Sequence, residues 1–369
     1  QKLFHNVQDP YVLYLALILH DSGRAANTAS HTDASAQLAD RVCRRLQVKG
    51  ARRRLLMFLI DHHLTLYRDA TTKNLDDPAV IAEFALKVRT KQNLDTLLVM
   101  TQADSRGTSD KSWNSWKESL ILYLYRNAVR YLNDPSDFTN SISAPLEELQ
   151  GGVRRALGAG YDTEIEAHFT HMPRSYFNFR SADTIAVHIE ACRRFFQKID
   201  TDDSRQSLLP ELTWIDHPEQ GCSELIVVSW DRHLLLGRVA GALAANSINI
   251  LSADIYKRSD DVVLDVFRVA RTDFTPVTND RTKARIRTNI EDAFDTDAFD
   301  FSDAIAEARR PIKGLEEVAG EVPQRVHVNQ TMSPEHVVIE LQLLDRIGLL
   351  YDVFRIIGQL GLNIAHARI

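Results

Sequence analysis

The chain has 369 residues, a length that divides into two or three domain-sized cores, and its 44 Lys and Arg against 50 Asp and Glu give a formal charge of −6. With 44% hydrophobic and 25% charged residues it lacks the cationic excess needed to coat nucleic acid or an anionic membrane, so no nucleic-acid and no membrane partner is expected. Cys43, Cys192 and Cys222 are too few and too far apart for a disulfide framework or zinc finger, no apolar run reaches the roughly 18 residues that span a bilayer, and no signal-peptide pattern opens the chain, so a cytoplasmic setting is expected.

Asp9-Pro10 reads as a helix N-cap followed by Pro at the first helical position. Tyr11, Leu15, Ile18 and Leu19 mark an apolar face that runs into His20-Asp21. Further helical periodicity covers 34–46, 51–63, 78–90, 92–103 and 113–131, with no alternating stretch between, so residues 1–133 are expected to form an all-α domain. Pro135, Pro145 and Gly151-Gly152 mark the start of a connector over 134–210, with a short helix inside it. Helices at 161–170 and 181–199 follow, separated by a turn, Met172-Pro173-Arg174-Ser175-Tyr176-Phe177.

After Pro210 the apolar period changes from 3.6 to 2. Residues 224–230 read as a strand, 234–245 as an amphipathic helix, 248–256 and 262–270 as strands, and 280–294 as a helix. That order is most of a ferredoxin-like βαββαβ module. Residues 231–255 can be laid without a gap on 345–369, an offset of 114, with nine of 25 pairs identical, among them Asp231/Asp345, Arg232/Arg346 and Asn249/Asn363. The second copy is expected to stop after its second strand, and the chain, which starts at Gln1, is expected to be truncated at both ends.

His20-Asp21 closes an apolar helix, His31 sits in a loop of small residues, His62-His63 ends a second apolar helix, and Asp104 ends a third. Converging at one edge, these imidazoles and carboxylates would suit a borderline or hard divalent ion such as Mn, Fe, Zn or Mg. Such an ion activates water and polarises a phosphoryl oxygen, and Arg24 is placed to clamp the developing charge. The competing reading is a set of solvated helix ends. Trp113 and Trp116 read as core, and Arg52-Arg53-Arg54 as a solvated face able to meet an acidic partner.

The run His20-Asp21-Ser22-Gly23-Arg24 with His31, His62-His63 and Asp104 resembles the signature of HD-domain metal phosphohydrolases, with Arg24 where that family has Lys and Ser22 where it has an aliphatic residue. Leu75-Asp76-Asp77-Pro78, Ala103-Asp104-Ser105-Arg106-Gly107-Thr108, Trp113-Asn114-Ser115-Trp116-Lys117, Leu124-Tyr125 and Pro173-Arg174-Ser175-Tyr176 narrow the resemblance. Together they are similar to the C-terminal part of the bifunctional uridylyltransferase/uridylyl-removing enzymes that modify the PII signalling protein. In that family an HD domain precedes two ACT modules.

The resemblance implies a multidomain chain: an all-α HD-domain phosphohydrolase fold over 1–133, a connector over 134–210, and α+β ferredoxin-like ACT modules over 211–300 and 331–369, joined by a linker over 301–330. It implies a metal-dependent phosphodiesterase that removes UMP from PII, with Asp21 and Arg24 catalytic and His20, Asp21, His31, His62, His63 and Asp104 holding the ion. It also implies sensing of glutamine, or another small amino acid, through Asp231, Arg232, Asn249, Asp345, Arg346, Gly348 and Asn363, and homo-oligomers built through ACT modules. The family's first ligand His lies upstream of the His-Asp pair, where this chain offers His5. No nucleotidyltransferase motif is found, so transfer of UMP is not expected. The family turn Asp-Arg-Pro-Gly reads Asp231-Arg232-His233-Leu234 in the first copy, whereas the second keeps Gly348 after Ile347. Two alternatives stay open: a degenerate HD-ACT sensor or scaffold, and an alarmone-type nucleotide hydrolase.

Overall fold

The computed structural model describes the chain except for residues 1–3, 5–6, 24–30, 74, 76, 109–112, 137, 139–145, 178–179, 202–204, 233, 297–298, 310–323, 330–336, 345, 363 and 365–369. It divides into two units, Gln1–Pro145 and Leu146–Ile369.

The first unit is helical: α1 (Pro10–Leu19), α2 (His31–Arg45), α3 (Gly50–His62), α4 (Thr65–Thr72), α5 (Pro78–Val88), α6 (Lys91–Thr108) and α7 (Ser115–Asn133). Caps explain several starts. The Asp77 carboxylate accepts from the Ala79 N–H just ahead of Pro78, and Asn114 Oδ1 accepts from the Lys117 N–H. α1 corrects the sequence expectation about its inward face. Val12, Leu13 and Ala16 are buried while Tyr11 and Ile18 stay exposed. This helix is apolar on every side, so periodicity alone could not choose the inward face.

Helices α1 and α3 lie side by side and parallel. Asp9 at the start of α1 pairs with Arg52 in the first turn of α3 at 2.6 Å, while the His20 and His63 rings at their far ends stand 5.1 Å apart. Leu56, Leu59 and Ile60 of α3 and Leu94, Leu97 and Met100 of α6 are buried in this unit's core. α4, which the sequence reading passed over, buries Leu66 and Ala70 in an otherwise polar, Thr-rich stretch.

The second unit opens with α8 (Leu146–Leu157), α9 (Asp162–His171), a 3-10 turn (Arg174–Phe177) and α10 (Ala182–Thr201). Then come β1 (Glu211–His217), β2 (Cys222–Trp230), α11 (Leu235–Ala245), β3 (Ile248–Lys257), β4 (Val262–Arg271) and α12 (Asp280–Asp295). The four strands form an antiparallel sheet in the order β1-β2-β4-β3, with Leu212 opposite Val227 and Val227 opposite Asp265. Both faces are covered. Leu225, Val227, Phe267 and Val269 pack with Val239 and Leu243 of α11 and Ile286 and Ile290 of α12. On the other face Ile226, Val228, Leu264 and Val266 pack with Ile165 of α9 and Ile185, Ile189 and Phe195 of α10. Burial on both faces is why β2 carries an almost unbroken apolar run instead of an alternation.

The helix-strand order from β2 to α12 is as the sequence predicts, but the edge beside β2 is taken by β1, which precedes the module. The repeat also extends further than identity shows. At the same offset of 114, β1 starts on Arg325, the start of β5 (Arg325–Asn329), and α11 falls on α14 (Leu349–Gln359). β5 pairs antiparallel with β6 (Val338–Gln342), as β1 does with β2. β5 therefore lies inside the segment read as linker. α13 (Ser302–Ala308) and α14 pack on α11 through Ala240, Ala244, Ile305, Tyr351 and Phe354. Gly241 lets the helices approach: a Cβ there would run into the rings of Phe301 and Tyr351.

Candidate functional site

The ends of α1 and α3 and the last turns of α6 place His20, Asp21, His63 and Asp104 together. His20 is buried, with Nδ1 2.9 Å from the Leu17 carbonyl oxygen and Nε2 3.1 Å from Asp104 Oδ1 and 3.6 Å from Asp21 Oδ2. His63 repeats the pattern, with Nδ1 2.8 Å from the Ile60 carbonyl and Nε2 3.8 Å from Asp21 Oδ1. A carbonyl oxygen only accepts, so in both rings Nδ1 carries the proton. Nε2 of each ring then faces carboxylate oxygen. Two electron-rich atoms 3.1 Å apart repel unless a proton or a metal cation lies between them. Burial holds the His63 imidazole below its ordinary pKa, which favours the neutral form that ligates metal.

The donor types suit a divalent ion, and the spacing fits in part. Two donors each about 2.1 Å from one ion stand about 3.0–3.4 Å apart, a range that holds the His20–Asp104 separation of 3.1 Å, whereas His20–Asp21 at 3.6 Å and His63–Asp21 at 3.8 Å exceed it. The backbone bonds at both Nδ1 atoms are the outer contacts that orient ligating imidazoles. Among the described residues, no group of three or more His, Cys, Asp or Glu side chains yet converges as a finished coordination shell. The cluster is a chain of neighbours that would have to tighten around an ion.

The other candidates lie elsewhere. His62 turns to Phe58, ring centroids 4.8 Å apart, and its Nδ1 is 3.4 Å from Thr65 Oγ1. Burial also lowers its pKa. His31 begins α2, but its side chain, like all of His5 and Arg24, lies outside the described residues. Sequence reasoning missed Ser35, whose buried hydroxyl accepts from the Gly23 N–H and pins the His-Asp-Ser-Gly turn to α2. Small hydroxyl residues give no pattern by which to find such a contact.

In the second unit the repeated turns lead into α11 and α14. Asp231 pairs with Lys257 at 2.8 Å, and Arg232 donates to the Leu208 carbonyl at 3.2 Å. Asn249 lies on β3 opposite Ala270, and Arg346 pairs with Asp352 at 2.7 Å. Asp345 and Asn363 lie outside the described residues. Leu234 and Gly348 hold the same place before their helices, both left-handed, at φ 61° and 77°. Two further buried histidines meet in this unit. His188 Nδ1 lies 2.7 Å from the Tyr176 hydroxyl, and the His168 ring stands edge-on to Tyr176 at 5.1 Å.

The chain is 30% identical over 358 residues to the bifunctional uridylyltransferase/uridylyl-removing enzyme of Bradyrhizobium sp. strain ORS 278, a match covering 97% of this chain and 37% of that enzyme. Enzymes of the same description from Gluconobacter oxydans and Rhodospirillum rubrum are 29% identical over 360 residues and 28% identical over 369 residues, covering 97% and 99% of this chain and 37% and 38% of theirs. The resemblance read from the residues is thus borne out along nearly the whole chain, which spans a little over a third of the length of these relatives. No family model matches the chain, and no solved structure matches it.

Proposed function

We propose that this chain, similar throughout to one part of the uridylyltransferase/uridylyl-removing enzymes, is a metal-dependent phosphodiesterase that removes UMP from a uridylylated PII-type protein. The observation that carries the reading is the pair of imidazoles whose Nδ1–H groups are tied to the backbone and whose Nε2 atoms face Asp21 and Asp104. His20, Asp21, His63 and Asp104 would hold a divalent ion, with His31 and His62 as further candidates. Bound there, Mn or Mg would polarise the phosphoryl oxygen and lower the pKa of the attacking water. The Leu17 and Ile60 carbonyls fix the two rings so that Nε2 stays aimed at the site. Asp21, the most exposed of the four at 33% of its side chain, sits where it can take a proton from the attacking water. Arg24, a few residues on, would clamp the negative charge that develops on the phosphoryl oxygens as water attacks and the tyrosine oxygen leaves.

The second unit would carry control. The two copies of the Asp-Arg turn, followed by paired helices, support tandem ferredoxin-like ACT modules that bind glutamine or another small amino acid and associate into homo-oligomers. Gly348, at positive φ and without a Cβ, lets Ile305 and Arg309 close on the second turn, whereas Leu234 carries a side chain at the matching place.

The test is release of UMP from uridylylated PII, alongside hydrolysis of bis(p-nitrophenyl) phosphate with Mn. Asp104→Ala is expected to lower both at least 100-fold and to abolish Mn uptake, and chelation should silence the parent chain. A parent that takes up Mn yet hydrolyses neither compound would leave the sensor reading in its place.

A further inference from the structure

Residues 44–54 carry Arg44, Arg45, Lys49, Arg52, Arg53 and Arg54 and no acidic residue, in a chain whose net charge is −6. Every residue of this stretch except Val48 is exposed. The only carboxylates bonded to it among the described residues are Asp40, which holds Arg44 and Arg53, and Asp9, which holds Arg52. The segment is the α2–α3 junction, and beside it lies an open recess of about 380 Å³ lined by Tyr11, Leu46, Gln47, Val48, Lys49 and Arg52. Tyr11 and Leu46 are 47% and 52% exposed, large apolar groups left at the surface amid cations.

Because α1 and α3 run parallel, their starts build this recess and their ends build the His-Asp cluster. The two sites lie at opposite ends of one helix pair, pinned by Asp9–Arg52 at the first and His20–His63 at the second. The recess shares no residue with the cluster.

We propose that this surface docks an acidic polypeptide segment bearing one aromatic or aliphatic anchor. The anchor enters between Tyr11, Leu46 and Val48, and carboxylates on either side meet Lys49 and the flanking arginines. A recess in which Tyr11, Leu46 and Val48 stand among the polar Gln47, Lys49 and Arg52 can seat one such anchor, while the surrounding charges set approach and register. Single-stranded nucleic acid calls instead for successive exposed aromatics along a cationic track, and among the described residues Tyr11 is the one aromatic lining the recess. The inference needs no hydrolytic activity and stands apart from the function proposed above.

A fluorescein-labelled peptide with one Phe flanked on each side by four Asp or Glu tests it by anisotropy at low salt on the full chain. Controls are the same peptide with Asn and Gln, one with Gly for Phe, and a labelled oligo(dT). The acidic Phe peptide is expected to bind at least 10-fold tighter than either peptide control, and to weaken with salt. The Arg45→Glu/Lys49→Glu/Arg54→Glu variant should lose at least 10-fold and Tyr11→Ala several-fold, while Asp104→Ala binds as the parent does. The charge changes fall on exposed side chains, and circular dichroism of each variant confirms its helix content. Equal binding of acidic and neutral peptides, or no effect of the triple variant, overturns the proposal. So does indifference to Phe and to Tyr11→Ala, which would reduce the surface to charge alone, or tighter binding of oligo(dT), which would make it a nucleic-acid site.

Discussion

At residue scale the repeat exposes a local strain. Leu234 sits at φ 61° where its counterpart Gly348 sits at 77°, and an L-residue in the left-handed region costs roughly 1–2 kcal/mol. Leu234→Gly is therefore expected to raise stability by about 0.5–1 kcal/mol, after its added unfolded-state entropy is set against the relieved strain. A shift of the urea midpoint to higher concentration would show it. Gly348→Leu should do the opposite and more strongly, because a Cβ there meets Ile305 as well as the unfavourable φ. Asp265 is a second strained residue. It is fully buried between Val227 and Ile255, and burial, reinforced by the nearby Asp231 charge, pushes its carboxyl well above the usual range. Asp265→Asn should stabilise the protein at pH 7, since the unfolded chain would no longer gain from ionising there. An unchanged or lowered melting temperature would show that the carboxyl is compensated.

At the scale of elements, the crossing of α11 with α14 depends on Gly241, where a side chain would strike Phe301 and Tyr351. Gly241→Val is expected to cost about 1–3 kcal/mol by overpacking, and the disturbed Tyr351 and Phe301 environment should register in the near-ultraviolet circular dichroism. Much at this scale was legible beforehand. The helices of the first unit other than α4, and the β2-α11-β3-β4-α12 order, follow from apolar periods of 3.6 and 2. β1 and β5 were not legible: β1 is short, and its half-covered residues mix Trp214 and Ile215 with Asp216 and His217. α8 to α10 read as a connector, because a helix's sequence shows that it has an apolar face but not which surface receives it.

At the scale of the whole molecule, the second unit's buried histidines contribute to how stability falls in acid. Both ring nitrogens of His168 are buried without a hydrogen-bond partner among the described residues. Burial, with Arg258 and Arg180 adding to it, pushes that imidazole down to about 3 from an ordinary 6.5, and burial lowers His188 in the same direction. Between those values the unfolded chain binds the proton that the folded chain refuses. Stability from His168 is thus complete above about 6.5 and declines as pH falls toward about 3, by up to about 1.4 kcal/mol per unit. Urea midpoints for this unit's unfolding should fall from pH 7 to pH 5, and His168→Phe should flatten that slope. A midpoint independent of pH in the parent would contradict the burial of these rings.

The sequence by itself determined the order of most elements, though not α4, β1 or β5, together with the duplicated Asp-Arg turn and the residue types of the candidate site, because helical and strand periods and short motifs are written in neighbouring positions. It did not determine that His63 joins His20 and Asp104 while His62 turns to Phe58, since adjacent residues leave a helix end in different directions and only packing selects one. Nor did it determine that β1 fills the edge beside β2, or that His168 and His188 meet under Tyr176. Those contacts join residues remote in the chain, and the tertiary structure decided them by the burial it imposes.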